Sequence, residues 1–518
     1  MYRLGDITRK GRKFFFDDEA IIFENNRVTY RQLEDRVNRL ANALLDLGYQ
    51  KGDRLAILSE NSHKYLEVYF AAGKLGMVVT PLNFRLSENE LVHIATDSEA
   101  TLFVVGDGYE SNAAAFKKEL EKIRHWIALD NQIAPFLFYE SILASASDKD
   151  PESDVSEDDL AILMYTGGTT GAPKGVMLTH RNIMTQSYMS IIAFTLSKRD
   201  AHCFILPLFH IAFWSALCTL MVGGKLVIVR RPELPGICHL IQKERCTWTN
   251  MVPTLYQWLL NLPEIDSYDL TSLRLLVYGG SPIASEVLRR LIHKFGPIFY
   301  QIYGMTESAG VAAVLEAKDH ALEGDPRITE RLNSVGRELI MTDMNVFDEN
   351  DREVHPGQIG EIVFRGKNMM TGYWKNPDQT RKSWRNGWYH TGDMGTRDED
   401  GYIYLKDRKA DMIVTGGENV YPKEVENIIY ENPAVFQCAV VSAPDENWGE
   451  KVVAVLTLKD ASSLSADELI RHCKQKLAGY KCPKEVFIWE DLPKTTVGKI
   501  LRREVKAHFW KGSDRLIG

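Results

Sequence analysis

Met164-Tyr-Thr-Gly-Gly-Thr-Thr-Gly-Ala-Pro-Lys-Gly-Val176 is the stretch on which the reading of this chain turns. The apolar run 160–165 that leads into it predicts a buried strand. The strand stops at Thr166, and Gly167, Gly168, Thr169, Thr170 and Gly171 follow. Glycines let successive backbone N–H groups point into one hollow, and threonine hydroxyls add donors, which together make a nest for phosphate oxygens. Lys174 adds a positive charge on a flexible stem, suited to a polyphosphate. A Walker A loop would need Gly at 173 and Ser or Thr at 175. The chain has Pro173 and Gly175 there, so a P-loop hydrolase is disfavoured.

Around this loop the chain alternates helix and strand signals. Thr29 precedes an apolar series at helical spacing through Leu33, Val37, Leu40, Ala41 and Leu44. Short strands are expected at 54–58, 77–80 and 102–105, with a helix over 65–75. A second alternating block runs from 160 to 315, with strands at 226–229, 248–252 and 273–278. This βαβ rhythm implies parallel sheets covered by helices on both faces. From 334 to 406 the segments shorten and alternate, which reads as β-rich, in the manner of a small barrel. A charged stretch, 406–411, precedes a fresh αβ pattern. The expected fold class is therefore α/β. A large domain (1–407) holds two parallel-sheet subdomains and a β-rich one, a hinge spans 408–411, and a small mobile α+β domain covers 412–518.

Bulk properties narrow the function. The chain has 518 residues, 45% of them hydrophobic and 25% charged, as in ordinary globular proteins. A net charge of −8 leaves no electrostatic footprint for nucleic acid. Seven scattered cysteines form no CxxC pair, which fits a reduced, cytoplasmic setting. The apolar patch at Phe14–Phe16 is too short for a signal-peptide core. The run 204–222 is interrupted by Pro207 and His210, so a buried helix followed by a strand accounts for it better than a membrane span.

Four strings then line up. Tyr165-Thr-Gly-Gly-Thr-Thr-Gly-Ala-Pro-Lys-Gly-Val176, Gln301-Ile-Tyr-Gly-Met-Thr-Glu-Ser308, Gly387-Trp-Tyr-His-Thr-Gly-Asp393 and Pro493-Lys-Thr-Thr-Val-Gly-Lys-Ile500 resemble, in order, motifs of the adenylate-forming superfamily. That superfamily includes acyl-CoA synthetases, peptide-synthetase adenylation domains and firefly luciferase. The resemblance covers roughly residues 27 to 508. Gly167 stands where serine is common, so backbone N–H groups must hold more of the phosphate.

The resemblance implies ATP, coenzyme A and a small carboxylic acid as substrates, Mg²⁺ as cofactor, and allows a homodimer. It implies that Gly279, Gly280 and Ser281 lie against adenine, that Tyr303 stacks on it, and that Thr306 donates to the α-phosphate. Glu307 would supply an oxygen to Mg²⁺, Asp393 and Arg408 would hold the ribose, and Lys499 would be the adenylation lysine. Gly416 and Gly417 would border the pantetheine tunnel. Trp448 would stack on CoA, although a core tryptophan explains it equally well. Ala410 replaces the usual polar hinge residue.

By motif alignment the acyl pocket comprises His210, Phe213, Trp214, Asn250, Met251, Tyr278, Met305 and Val311, with His210 gating the carboxylate or the CoA tunnel. Peptide-synthetase domains carry an aspartate near position 210, so amino-acid loading is disfavoured. The mostly apolar lining favours a medium- or long-chain fatty acid, with benzoate- or cinnamate-type acids next. A luciferase-like oxygenase or a non-catalytic nucleotide-binding protein would share these motifs, but the latter predicts decay at Glu307 and Lys499.

Overall fold

Thr29 begins the helix Tyr30–Asp46 as the sequence predicts. Its hydroxyl accepts from Gln32 N (3.2 Å), while Gln32 Oε1 accepts from Thr29 N (2.8 Å). This reciprocal cap satisfies two orphan donors, and Leu33, Val37, Leu40, Ala41 and Leu44 face the core. Ser62 caps the next helix, His63–Leu75, through Tyr65 N. That helix is buried nearly all round, so its sequence shows little polar face. The computed structural model describes residues 2–166, 173–281, 283, 285–408, 411–415, 418–445, 447–459, 463–494 and 500–510, with backbone only at 285, 407 and 408.

Two mixed sheets dominate the first 340 residues. The eight-stranded sheet runs Gly372–Tyr373, Lys174–Thr179, Leu160–Thr166, Val78–Pro81, Arg54–Leu58, Leu102–Val105, His125–Ala128 and Leu137–Phe138. The nine-stranded sheet has six parallel strands at its centre: Phe299–Tyr303, Leu275–Gly279, Trp248–Met251, Ala201–Phe204, Lys225–Ile228 and Glu19–Phe23. The two blocks seen in the sequence exchange strands. Leu160–Thr166 joins the first block's sheet beside Val78–Pro81, and Glu19–Phe23 joins the second's. Neighbours in sequence need not be neighbours in a sheet, because each edge strand pairs wherever an unsatisfied ladder faces it.

The run 204–222 resolves into a 3-10 turn (Ile211–Phe213) and the buried helix Trp214–Met221, followed by Lys225–Ile228. Among the described residues, no helix is long and apolar enough to cross a membrane.

The β-rich region is an antiparallel five-stranded sheet of Thr342–Phe347, Gly360–Gly366, Trp388–Arg397, Trp384–Arg385 and Ile403–Arg408. Its described strands pair as an open path rather than the closed ring of a barrel. The last five-stranded sheet is formed by Ile413–Thr415, Glu418–Val420, Val435–Asp445, Gly449–Leu458 and Glu485–Ile488, with helices Pro422–Tyr430, Ala466–Lys474 and Arg502–Trp510. All seven cysteines are buried and free.

Candidate active site

Leu160–Thr166 and Lys174–Thr179 form an antiparallel hairpin in which Thr166 and Lys174 face each other. The hairpin thus presents the loop from two fixed ends. Gly167, Gly168, Thr169, Thr170 and Gly171 themselves lie outside the described residues. Lys174 Nζ stands 5.7 Å from the centroid of the Tyr373 ring.

The second motif follows the strand Phe299–Tyr303. Tyr303 Oη donates to Asp393 Oδ2 at 2.7 Å, so the expected adenine and ribose contacts come together from segments 90 residues apart. Arg408 is the backbone partner of Asp393 across the β-rich sheet. Thr306 is buried and Glu307 half-buried in the 3-10 turn Thr306–Ser308. The turn is pinned from outside. Met370 N donates to Glu307 O (2.8 Å), Asn368 Nδ2 to Ser308 O (3.0 Å), and Tyr373 Oη to Glu307 Oε1 (2.8 Å). Among the described residues no three His, Cys, Asp or Glu side chains gather as a metal cage. The half-buried Glu307 carboxylate, bonded to Tyr373 next to the strand that bears Lys174, fits Mg²⁺, which favours one or two carboxylates plus substrate phosphates.

Gly279 ends its strand, and Gly280 follows at φ +78°. A Cβ on Gly279 would lie 2.4 Å from Ile302 Cγ1, so glycine is what allows the two strand ends to close on one another. Ile302 was not among the residues predicted for the pocket. It pairs with Gly279 in the sheet register, a neighbour relation that no local pattern reveals.

The predicted acyl lining divides between the two faces of the nine-stranded sheet. Side chains alternate along strands, and paired residues of parallel neighbours share a face. Met251 pairs with Tyr278, and both pack under the outer helices with Tyr256 and Leu288. Tyr278 Oη lies 3.0 Å from His320 Nε2 and 3.2 Å from Gln301 Oε1. Burial raises its pKa, so it stays a neutral hydrogen-bonding group. Met251 and Tyr278 are thus both buried on the outer-helix face of the sheet.

Asn250 faces the other side but is consumed by a buried network. Its Oδ1 lies 3.0 Å from His202 Nε2, and its Nδ2 donates to Ser215 Oγ at 3.2 Å. His202 stacks on Trp248 at 3.6 Å with 10° between planes. Asn250 thus fastens the helix Trp214–Met221 to the sheet. On this face Trp214 stacks on Phe194 (5.8 Å, 22°) and Phe213 on Tyr69 (5.0 Å, 8°), while Val311 is fully buried. Met305 is half-buried and His210 exposed. His210 Nδ1 accepts from Ala212 N (3.2 Å), capping the 3-10 turn. Solvent reaches this residue, yet desolvation of its ring, with the Arg85 guanidinium adding to it, lowers the imidazole pKa, which suits a neutral gate.

In the last domain Trp448 is 57% exposed, which rules out the core reading and leaves its ring open for stacking. Thr415, the last described residue before 416–417, pairs with Gly449, next to Trp448 in sequence. Gly416, Gly417, Ala410, Lys499 and Ser281's neighbour Pro282 lie outside the described residues. The Lys494–Ile500 bridge brackets the lysine loop.

Known proteins match this arrangement along the whole chain. The family model of the AMP-binding enzymes matches residues 7–374, and that of the AMP-binding enzyme C-terminal domain matches 424–499. Feruloyl-CoA synthase of Amycolatopsis sp is 39% identical over 493 residues, covering 95% of this chain and 96% of the relative. The long-chain-fatty-acid–CoA ligase FadD13 of Mycobacterium tuberculosis is 32% identical over 487 residues, covering 93% of each. The ATP-bound crystal structure of MatB from Rhodopseudomonas palustris superposes with a TM-score of 0.89 at 29% identity, covering 99% of both chains. The chain belongs to the AMP-binding enzyme family of the adenylate-forming superfamily and is an AMP-forming acid–thiol ligase of the acyl-CoA synthetase kind.

Proposed function

We propose that the acid is a compact aryl acid of the cinnamate or benzoate type. The observation that carries this reading is the closed wall beside the helix Trp214–Met221. Phe213, Trp214, Asn250 and Val311 are all 2% exposed or less and already engaged with neighbours. Gly279, Ile302 and Met305 are left partly open and His210 exposed, so little of the lining offers room for a long chain. The relatives named feruloyl-CoA synthase, at 39% identity, support it. The fatty-acid reading stands second. The apolar lining and the 32% identical long-chain ligase favour it.

The chemistry follows from the charges involved. A carboxylate is already a nucleophile, so attack on the α-phosphorus of ATP needs no general base. The barrier is repulsion between anions. Lys174 and Lys499 lower it by bringing positive charge to the phosphates, and Thr306 by donating to the α-phosphate. Mg²⁺ held by Glu307 would supply further charge neutralisation when bound. Tyr303 and Asp393 orient the nucleoside, which turns a bimolecular encounter into a positioned one. In the second half-reaction the small domain turns, Lys499 withdraws, and Gly416 and Gly417 admit the CoA thiol, which displaces AMP.

Acid-dependent pyrophosphate release and CoA consumption, measured with ferulate, benzoate, octanoate and palmitate, test the assignment. We expect kcat/KM for an aryl acid to exceed that for palmitate by about tenfold or more, the discrimination that pocket shape supplies. Palmitate ahead of every aryl acid would reverse the order of the two readings.

A further inference from the structure

We propose that Tyr373, backed by Tyr389, is a positioning residue for the Glu307 carboxylate, and that this pair sets how firmly Glu307 holds a divalent cation beside ATP. The inference rests on the reading of Glu307 as the metal carboxylate.

Tyr373 and Tyr389 are both buried. Tyr373 Oη lies 2.8 Å from Glu307 Oε1 and 3.1 Å from Tyr389 Oη. A phenol has one proton to donate. An ionised carboxylate can only accept, so Tyr373 gives its proton to Glu307 and accepts one from Tyr389.

The backbone supports the same arrangement. The two-residue strand Gly372–Tyr373 pairs with Val176 and Met177, just beyond the phosphate loop. Trp374 N donates to Gly175 O at 2.8 Å, and Met370 N to Glu307 O at 2.8 Å. Glu307 is thus gripped by main chain and side chain from one short segment, and that segment is stitched to the strand bearing Lys174. The Lys174 ammonium lies near the Tyr373 ring. Tyr389 sits on the strand Trp388–Arg397 that also carries Asp393. One chain of contacts therefore joins the ribose strand, the tyrosine pair, the metal carboxylate and the phosphate lysine. The bond to Oε1 restricts the rotamers open to the carboxylate. Such pre-ordering avoids rotamer entropy on binding.

The experiment compares Tyr373→Phe, Tyr389→Phe and Glu307→Gln with the parent enzyme. Calorimetric binding of α,β-methylene-ATP is measured with Mg²⁺ and with EDTA, alongside the Mg²⁺ dependence of pyrophosphate release and thioester formation from pre-made acyl-adenylate. Losing a hydrogen bond to a charged group, Tyr373→Phe should raise half-saturating Mg²⁺ about tenfold. It should weaken analogue binding only when Mg²⁺ is present and leave the thioester step near the parent's. Tyr389→Phe, which leaves Glu307's own contact in place, should shift the same readouts less and in the same direction. Parent-like Mg²⁺ dependence in both tyrosine variants, with Glu307→Gln impaired, overturns the positioning role and spares the Glu307 reading. Parent-like Mg²⁺ dependence in Glu307→Gln overturns both. If Tyr373→Phe does not fold, Tyr389→Phe decides alone by the same criterion.

Discussion

Gly310 shows how much one missing side chain can settle. It adopts φ +125°, and a Cβ there would stand 2.7 Å from Trp214 Cδ1. Gly310→Ala should therefore strain the backbone and push the indole off Phe194, costing about 1–3 kcal/mol. Chemical denaturation and the KM for acid check this, and a parent-like stability would remove the claimed contact. His202 makes a different kind of prediction. Burial lowers its pKa to about 3, and that of His180 to about 4. In the unfolded chain both take up a proton near pH 6.5. The unfolded state thus binds more protons as pH falls below about 6.5, so acidification destabilises the fold, whereas above that pH these groups contribute no slope. Each such histidine adds about 1 kcal/mol per pH unit on the acid side. Denaturant midpoints of His202→Gln between pH 7.5 and 5 should show the shallower slope, whatever its absolute stability.

At the level of strands and helices, alternation decides who reaches the substrate. Asn250 and Met251 are adjacent, yet one faces the helix Trp214–Met221 and the other the outer helices. Asn250→Ala would leave His202 and Ser215 short of a partner inside the core, a loss of about 1–3 kcal/mol. Because Asn250 fastens that helix through Ser215, nucleotide KM should hold while thermal stability falls. An unchanged melting temperature with a large change in acid KM would restore Asn250 to the pocket wall.

Across the whole molecule, the proposed two half-reactions would call for two arrangements of the C-terminal part. Lys499→Ala should abolish adenylate formation yet spare thioester formation from pre-made acyl-adenylate. Equal loss of both steps would reject Lys499 as the adenylation lysine. Gly417→Leu should instead block the thioester step, because a side chain there fills the tunnel. Stopped-flow CoA consumption reads that step directly, and normal CoA kinetics would dismiss the tunnel.

Local chemistry carried a great deal of this protein. Strand, glycine-threonine stretch and lysine sit within the fifteen consecutive residues 160–174, and Thr29 with Gln32 announces a helix start, because backbone freedom, capping and charge act over a few residues. The strings that hold Tyr303, Thr306, Glu307 and Asp393 could be read for that reason, and the fold brings Tyr303 and Asp393 into contact. The acid side could not be read that way. Met251 and Tyr278 are buried under the outer helices, and Ile302 meets Gly279 only through the sheet register. Tyr373 reached Glu307 across 66 positions. Sheet face, register and the meeting of distant strands are settled by which apolar surfaces bury each other, and that is a property of the packed whole that no short window of residues contains.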